Sequence, residues 1–499
     1  MDRLSTLDAS FLYMETPETP MHVAGLGIFA PPASGVDVFK SFHDHIAARL
    51  HLLPFFERKL NAIPASVDNP VWIREANVDL DYHIRQMALP RPGTMEQLRT
   101  LVARLHMILL DRSRPLWQYY VIEGLEGGGF AIYVKMHHSG IDGGAGMAAL
   151  DIIFGSSSEP TPIVQPAASV LSGAAEPSLI ELVGKTYEDF WLQQRRMLEA
   201  LPGLGKALTN VGRRLIEDLG RGSNAIVLAP KTIFNVAVSK QRSFGTTTIS
   251  LSEVKALGSA TNSKVNDVVM AVCAGALRRY LLEHSALPER SLIAALPVSL
   301  REPGNTEMNN QVTMMLCSLS TDIADPLVRL AAIVASSQDS KARLGDVKGA
   351  MPTDISILGA PFVMTGLAEW MGRTKAADQL PAMVNVLISN VPGPRKAMYC
   401  AGAKLQNYFP VSIPSHGGAL NITVQSYMDN LDFGLIACRA AVPDIQKMAD
   451  MLVEEFETLK QAALAKPADV QVIEIGAAER TVETKAPGPG EQPTQRIAK

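Results

Sequence analysis

Apolar positions recur along this chain in two rhythms. Short continuous or alternating runs predict strands at residues 21–29 (MHVAGLGIF), 71–73, 116–123 and 130–136. More follow at 245–250, 292–298, 311–318, 383–390, 420–427 and 431–437. Three- and four-residue spacing predicts helices over 36–50, 93–110, 266–284, 326–342 and 443–463. In the second of these, Leu98, Leu101, Val102, Leu105 and Leu109 make a single stripe. The strands at 116–123 and 130–136 flank Gly127-Gly128-Gly129, which is a hairpin signal.

Between these two sets the pattern breaks. Residues 156–177 are rich in Ser, Pro and Ala and read as a linker. Helical spacing resumes over 179–219 and is interrupted at Pro202 and Gly203. Beyond Lys466 the chain carries PGPGEQPTQ and no periodic core, so a disordered tail is expected. The expected organisation is a domain at 1–155, a linker with crossover helices at 156–229, a second domain at 230–465 and a tail at 466–499. Strands and helices are mixed in both halves, which predicts an α/β fold with a site between them.

Composition narrows the classes. The 499 residues suit two or three domains at roughly 150 residues each. Charged residues make up 19% against a typical value of about 25%. The net charge of −4 offers no general attraction to nucleic acid. The four cysteines are far apart, which gives neither a zinc site nor a disulfide framework. The first residues lack the apolar core of a signal peptide, and the longest uninterrupted apolar run, Val268 to Leu277, is ten residues. A cytoplasmic protein without a spanning helix is expected, with peripheral contact to a lipid surface left open.

The chemistry concentrates in Lys135-Met136-His137-His138-Ser139-Gly140-Ile141-Asp142-Gly143-Gly144, between a strand and a helical run at 145–154. Neighbouring strand residues point to opposite faces, so His137 and His138 do not readily grip one metal, and no metal site is expected. One of the two can face a cavity, where a near-neutral pKa suits it to taking and returning a proton. The glycines allow a sharp turn and close backbone approach. The plain alternative is a histidine pair packing a strand end. Two His, an Asp and three Gly within eight residues favour chemistry.

The run His137-His138-Ser139-Gly140-Ile141-Asp142-Gly143 resembles the HHxxxDG motif of CoA-dependent acyltransferases. Pro115-Leu116-Trp117, Asn266-Asp267 and Ser389-Asn390-Val391-Pro392-Gly393-Pro394 resemble, in order, the PLW, ND and SNVPGP blocks of the bacterial wax ester synthase/diacylglycerol acyltransferases. The opening LDASFLYMETPETPMHV is similar to that family too, and the likeness covers residues 1 to about 460. It implies two chloramphenicol-acetyltransferase-like domains with a substrate tunnel at their interface. The implied reaction moves a long-chain acyl group from acyl-CoA, a co-substrate, to diacylglycerol or a long-chain alcohol, with no cofactor. It implies His138 as general base. Asp142 orders the loop by pairing with an Arg, and Arg301, just after the strand at 292–298, is the expected partner. Gly143 belongs to the same motif.

The residues agree with such a reaction. One histidine can remove the hydroxyl proton and return it to the leaving thiolate, so no acyl-enzyme is needed. No GxSxG elbow is present, and Cys273 sits in an apolar helix and reads as core. Asn266 and Asp267 read as a helix N-cap, with an open question of whether that terminus also faces the site. Asn385 and Ser389, four apart on a strand, share a face that a tunnel could use, beside Asn390 in a rigid turn. Pro115-Leu116-Trp117 reads as a structural anchor. His416 reads as a loop-ordering residue with a second catalytic role as the alternative. Asp432-Phe433-Gly434-Leu435 resembles the DFGWG block of the plant acyltransferases, with Leu in place of Trp, and that resemblance implies a structural role. Two other functions stay open: another hydroxyl acceptor, or a lipid-binding relative without catalysis. A docking segment for membranes or lipid droplets is expected at 179–219, where Phe190, Trp191 and Leu192 accompany Arg195, Arg196, Arg213 and Arg214.

Overall fold

The computed structural model describes residues 2–61, 69–141, 143–159, 228–299, 312–347 and 361–465. Residues 160–227 of the expected linker and crossover helices, the tail, Asp142 and Arg301 lie outside these.

In the first half the elements are β1 (Asp2–Arg3), α1 (Thr6–Met14), β2 (His22–Phe29), α2 (Val38–Arg49), β3 (Arg58–Asn61) and β4 (Val71–Arg74). They continue with α3 (Leu80–His83), β5 (Ile84–Ala88), α4 (Met95–His106), β6 (Trp117–Glu123), β7 (Phe130–His137) and α5 (Gly143–Ile153). The second half holds β8 (Arg242–Ser250), α6 (Leu251–Ala260), α7 (Val265–Glu283), β9 (Ile293–Ser299), β10 (Val312–Ser318), α8 (Pro326–Val347) and α9 (Pro361–Thr374). It ends with β11 (Val386–Val391), β12 (Tyr399–Cys400), β13 (Ala403–Val411), β14 (Leu420–Tyr427), β15 (Asn430–Cys438) and α10 (Ile445–Ala465).

The strands form a first sheet in the order β12-β13-β2-β7-β6-β5, a second in the order β10-β9-β11-β14-β15-β8, and a small sheet β1-β4-β3. β7 is buried along its whole length, consistent with its near-continuous apolar run. It pairs antiparallel with β6 across the expected glycine-rich connection. α4 begins where Thr94 and Gln97 close a reciprocal capping box, and its Leu98, Val102 and Leu105 are buried. α7 and α10 cover the second sheet, and α7 is buried from Asp267 to Leu277.

Most predicted strands and helices are present, with ends shifted by a few residues. β1, β3, β5, β12, β13, α1, α3, α6 and α9 are additional. Of these β13 matters most, because it crosses over. It lies in the stretch expected to belong to the second domain, yet it pairs antiparallel with β2 in the first sheet. Its polar positions, a register shift between Leu405 and Asn407, and Pro410 hide it from a pattern search.

The two sheets meet where β13 crosses β15. Asp432, fully buried, accepts hydrogen bonds from the Thr248 hydroxyl (2.7 Å), the Asn407 side-chain amide (2.9 Å) and the Tyr408 N–H (2.7 Å). A methyl group at Gly434 would overlap the Pro410 carbonyl, so this crossing admits only glycine. A shared core joins Leu26, Tyr133, Leu98 and Phe409 of the first layer to Phe244 and Ile436 of the second sheet. The His106 ring donates from Nε2 to the Ser412 carbonyl at 2.9 Å, and its Nδ1 lies 2.8 Å from the Tyr133 hydroxyl. Replacing Asp432 by Ala should strand three donors and lower stability by on the order of 3 kcal/mol, read as a shift in the urea midpoint.

Candidate active site

β7 delivers the histidine pair. His137 is its last residue, opposite His22 of β2, and is fully buried. Its N–H donates to the Leu116 carbonyl (3.0 Å), and the His138 N–H donates to Met21 (2.9 Å). So the chain ahead of β6 and the chain ahead of β2 both hold this turn. A methyl group at Gly140 would overlap the Phe55 ring, which explains the glycine.

The two side chains part company, as the strand alternation predicts. His137 Nδ1 accepts the Ser139 N–H (3.1 Å) and lies 2.8 Å from the Ser139 hydroxyl. That leaves the ring proton on Nε2, which faces Glu15 Oε2 across 3.2 Å. Glu15 closes α1 and its side chain is only 3% exposed. It also accepts the Met21 N–H (3.0 Å) and the Arg112 guanidinium (2.9 Å). Burial on its own would raise this carboxyl's pKa. The His137 ring, the Arg112 charge and the Met21 N–H outweigh burial and hold it at about 2. His138 stays half-exposed, stacked on the Phe11 ring at 4.1 Å and 10°.

Two more buried basic side chains lie near this turn, Lys135 of β7 and His22 of β2. The Lys135 ammonium donates to the Leu105 (3.2 Å) and Ile108 (2.7 Å) carbonyls at the end of α4, and burial brings its pKa down to about 7. His22 donates from Nε2 to the His106 carbonyl (2.9 Å), and burial keeps it well below the usual imidazole range.

Pro115, Leu116 and Trp117 are buried and act as the expected anchor. The Trp117 indole donates to the Phe56 carbonyl (3.0 Å) and is stacked between Phe56 (4.5 Å) and His83 (4.2 Å). The remaining predicted residues lie in the second half. α7 starts one residue earlier than expected, with Lys264 as its N-cap. Asp267 is therefore the third helical residue, reaching back to accept the Lys264 N–H (3.0 Å) rather than forming the cap with Asn266. The Asn266 side-chain oxygen lies 3.5 Å from the Asn390 amide, so the second and third blocks meet. Ser389 is half-buried in β11, opposite Thr423.

Asn385 corrects the tunnel reading. It precedes β11, is fully buried, and is satisfied within the core. Its oxygen accepts the Ile293 N–H (2.9 Å), and its amide donates to Asn235 (2.8 Å) and to the Pro230 carbonyl. It joins segments and lines no tunnel. His416 accepts the Val238 N–H (3.1 Å), which is the loop-ordering role. Cys273 is buried, which pushes its thiol up to about 12 and agrees with a core residue. Of the HHxxxDG residues, Gly143 opens α5.

The sequence reading missed Phe11, Glu15, Ser139 and Arg112. The first two carry a signal in hindsight: an aromatic and an acid four apart in a short helix place both on one face.

Comparisons with known proteins agree with this architecture. Residues 4–269 match the model of the wax ester synthase/diacylglycerol acyltransferase catalytic domain. Residues 308–460 match the WS/DGAT C-terminal domain. The chain belongs to the wax ester synthase/diacylglycerol acyltransferase family. Among its relatives is the O-acyltransferase WSD of Acinetobacter baylyi, 36% identical over 94% of this chain and 99% of that one. Another is the Mycobacterium tuberculosis protein named "Probable diacylglycerol O-acyltransferase tgs2", 34% identical over 93% of this chain and 99% of that one. The solved wax ester synthase/diacylglycerol acyltransferase from Marinobacter aquaeolei VT8 superposes with a TM-score of 0.65 at 30% identity, covering 93% of this chain and 100% of that one. A starter condensation domain of rhizomide synthetase, 11% identical with a TM-score of 0.54 over 93% of this chain and 94% of that one, shares the fold.

The depressed Glu15 pKa predicts an acid-sensitive contribution. A carboxyl that falls from 4.5 unfolded to about 2 folded stabilises the protein above pH 4.5 and loses that contribution as pH falls toward 2. At roughly 1.4 kcal/mol per unit this amounts to about 3 kcal/mol. Chemical denaturation of the parent and of Glu15→Gln at stepped pH should show the parent's advantage present at pH 6 and shrinking below pH 4.5.

Proposed function

We propose that this protein transfers a long-chain acyl group from acyl-CoA to the hydroxyl of diacylglycerol or of a long-chain alcohol, giving a triacylglycerol or a wax ester. The observation that carries this reading is the HHxxxDG turn itself. One histidine is fixed inside the protein by Glu15 and Ser139, while its neighbour stays half-exposed on an aromatic support. The names of the Acinetobacter and Mycobacterium relatives support an acyl-transfer reaction.

In this reading His138 is the general base. It takes the proton from the acceptor hydroxyl as that oxygen attacks the thioester carbonyl. The tetrahedral intermediate collapses, the carbon–sulfur bond breaks, and the thiolate leaves as the anion or takes the proton back from the imidazolium. Acyl-CoA serves as co-substrate and no cofactor takes part. His137 acts through Glu15 to hold the turn, while Asp142 and Arg301, the pair expected to order the loop that follows, lie outside the described residues. Asn266, at the start of α7, and Asn390 of β11 beside it form the second half's share of the site, where a helix N-terminus favours developing negative charge. An apolar tunnel between the halves keeps water from competing as acceptor.

Acceptors of this kind scarcely dissolve, since each buried CH₂ is worth about 0.8 kcal/mol. No helix among the described residues is long and apolar enough to cross a membrane. In this reading the protein collects its acceptor as a peripheral protein on a membrane or lipid droplet, on the cytoplasmic side. The docking segment expected at 179–219 lies outside the described residues.

Release of free CoA from palmitoyl-CoA, measured with diacylglycerol, hexadecanol or no acceptor, tests the reaction. Release should depend on an added acceptor, and acceptor-independent release would indicate a thioesterase instead. His138→Ala should lower turnover by about 10² to 10⁴ without moving the melting temperature. His137→Ala should mainly lower stability, because it leaves Glu15 without its ring partner. Full turnover in His138→Ala would overturn the assignment.

A further inference from the structure

We propose that Gln425 selects the acceptor, its side-chain amide donating to an ester carbonyl of diacylglycerol, a group that a long-chain alcohol lacks. The inference rests on the acyl-transfer reading above and names a residue that decides between the two acceptors.

Gln425 lies on the inner face of the second sheet. Ile422 and Val424 of β14, Ile388 of β11 and Met315 of β10 belong to the core beneath α7 and α10. Strand alternation turns Gln425, Ser389, Met314 and Leu316 to the opposite face. The first half covers one side of that face. Asp432, opposite Gln425 on β15, bonds Asn407 and Tyr408 of β13, and Tyr427 reaches into the first core. Toward the other edge the cover gives out. Ser389 and Leu387 are half-buried, and Met314 and Leu316 are 52% and 45% exposed. The face therefore runs from an open apolar edge to a closed polar end. The closed end adjoins the histidine turn. Asn421, on the same face of β14, donates to the Ser412 hydroxyl (3.2 Å). The Ser412 carbonyl holds the His106 ring, the His106 carbonyl holds the His22 ring, and His22 pairs with His137.

Gln425 is only 4% exposed, and its amide nitrogen is buried with no hydrogen-bond partner among the described residues. Its polar neighbours on this face are satisfied: Thr423 donates to the Asn421 oxygen (2.9 Å), and Asp432 takes its three donors. The Gln425 stem lies against Gly393 of the SNVPGP turn, where an added methyl group would come within 3.2 Å of its Cγ. A buried donor left unpaired is costly. A ligand that brings an acceptor removes the cost, and one that brings none leaves it in place, so such a donor discriminates between them. Diacylglycerol carries ester carbonyls close to its free hydroxyl. A long-chain alcohol carries only the hydroxyl, which the reaction itself uses. With its chains laid toward the apolar edge at β10, diacylglycerol brings its ester groups to the closed end at Gln425.

The test measures CoA release from palmitoyl-CoA by the full chain with dioleoylglycerol, its dialkyl ether analogue or hexadecanol, for the parent and Gln425→Leu, with melting temperatures alongside. Leu is close to Gln in size and removes the donor. Gln425→Leu should lower kcat/KM for dioleoylglycerol by about tenfold and leave hexadecanol near the parental value. Its melting temperature should hold or rise, because an unpartnered buried donor has been removed. One arm does not depend on how the variant folds. The parent should use the ester about tenfold better than the ether, which lacks the carbonyls, and Gln425→Leu should lose that preference. Equal use of ester and ether by the parent overturns the inference. So does an unchanged acceptor ratio in Gln425→Leu, including one with a lowered melting temperature, which assigns the amide a structural role. An equal loss on every acceptor with a raised KM for palmitoyl-CoA places the amide on the CoA arm and also overturns it. A parent that acylates hexadecanol but not dioleoylglycerol overturns this inference and leaves acyl transfer standing. A parent that acylates neither overturns the acyl-transfer reading itself.

Discussion

A carboxylate taken out of water must be met on every side, and Glu15 is met by three separate stretches of chain. His137 comes from the end of β7, Arg112 from the segment after α4, and the Met21 N–H from the run into β2. Each of these alone is a modest interaction. Together they hold ionised a group that burial alone would neutralise. The geometry of the histidine turn follows from this requirement, because α1, β2 and β7 have to converge on one point. The register of β2 against β7, which sets His22 opposite His137, follows from it too. A slip by one residue would exchange every buried side chain of β2 for its neighbour.

The same economy of polar groups governs the layer between the sheets. Lys135 and Arg242 are buried cations, and the hydrogen bonds they make go to backbone carbonyls. Lys135 ties down the end of α4, where a positive charge is favourable. Arg242 bonds the Ser239, Gln241 and Glu18 carbonyls, which links β8 to the loop beyond α1. The His106 ring bonds the Ser412 carbonyl just after β13. The charge of Lys135 therefore fastens segments within the first half, while Arg242 joins the second half to the loop beyond α1, where Lys240 also lies 3.9 Å from the Glu18 carboxylate.

How much of this was legible in the sequence depended on the range of the interactions. β6, β7 and their glycine-rich connection are local, and the pattern revealed them. The motif turn was legible for the same reason, since its residues are contiguous. β13 was not, because its partners are some 380 residues away and Pro410 and the shift at Leu405 spoil its alternation. Glu15 was not, because its spacing from Phe11 shows only a shared helix face, while its partner His137 is distant in the sequence. Asn385 was misread in the opposite direction: strand spacing gives a face, but only the packed structure shows that the face is closed around Asn235 and Pro230.

The crossing of β13 also bears on how the chain is made. During synthesis β2 emerges early and pairs with β7 on one side only. Its other edge stays open until residue 411 has left the ribosome, after most of the protein has been translated. An open apolar edge is a site for unwanted strand pairing. The nascent first half therefore passes through a long interval as an incomplete sheet, and its final strand arrives from the far end of the message.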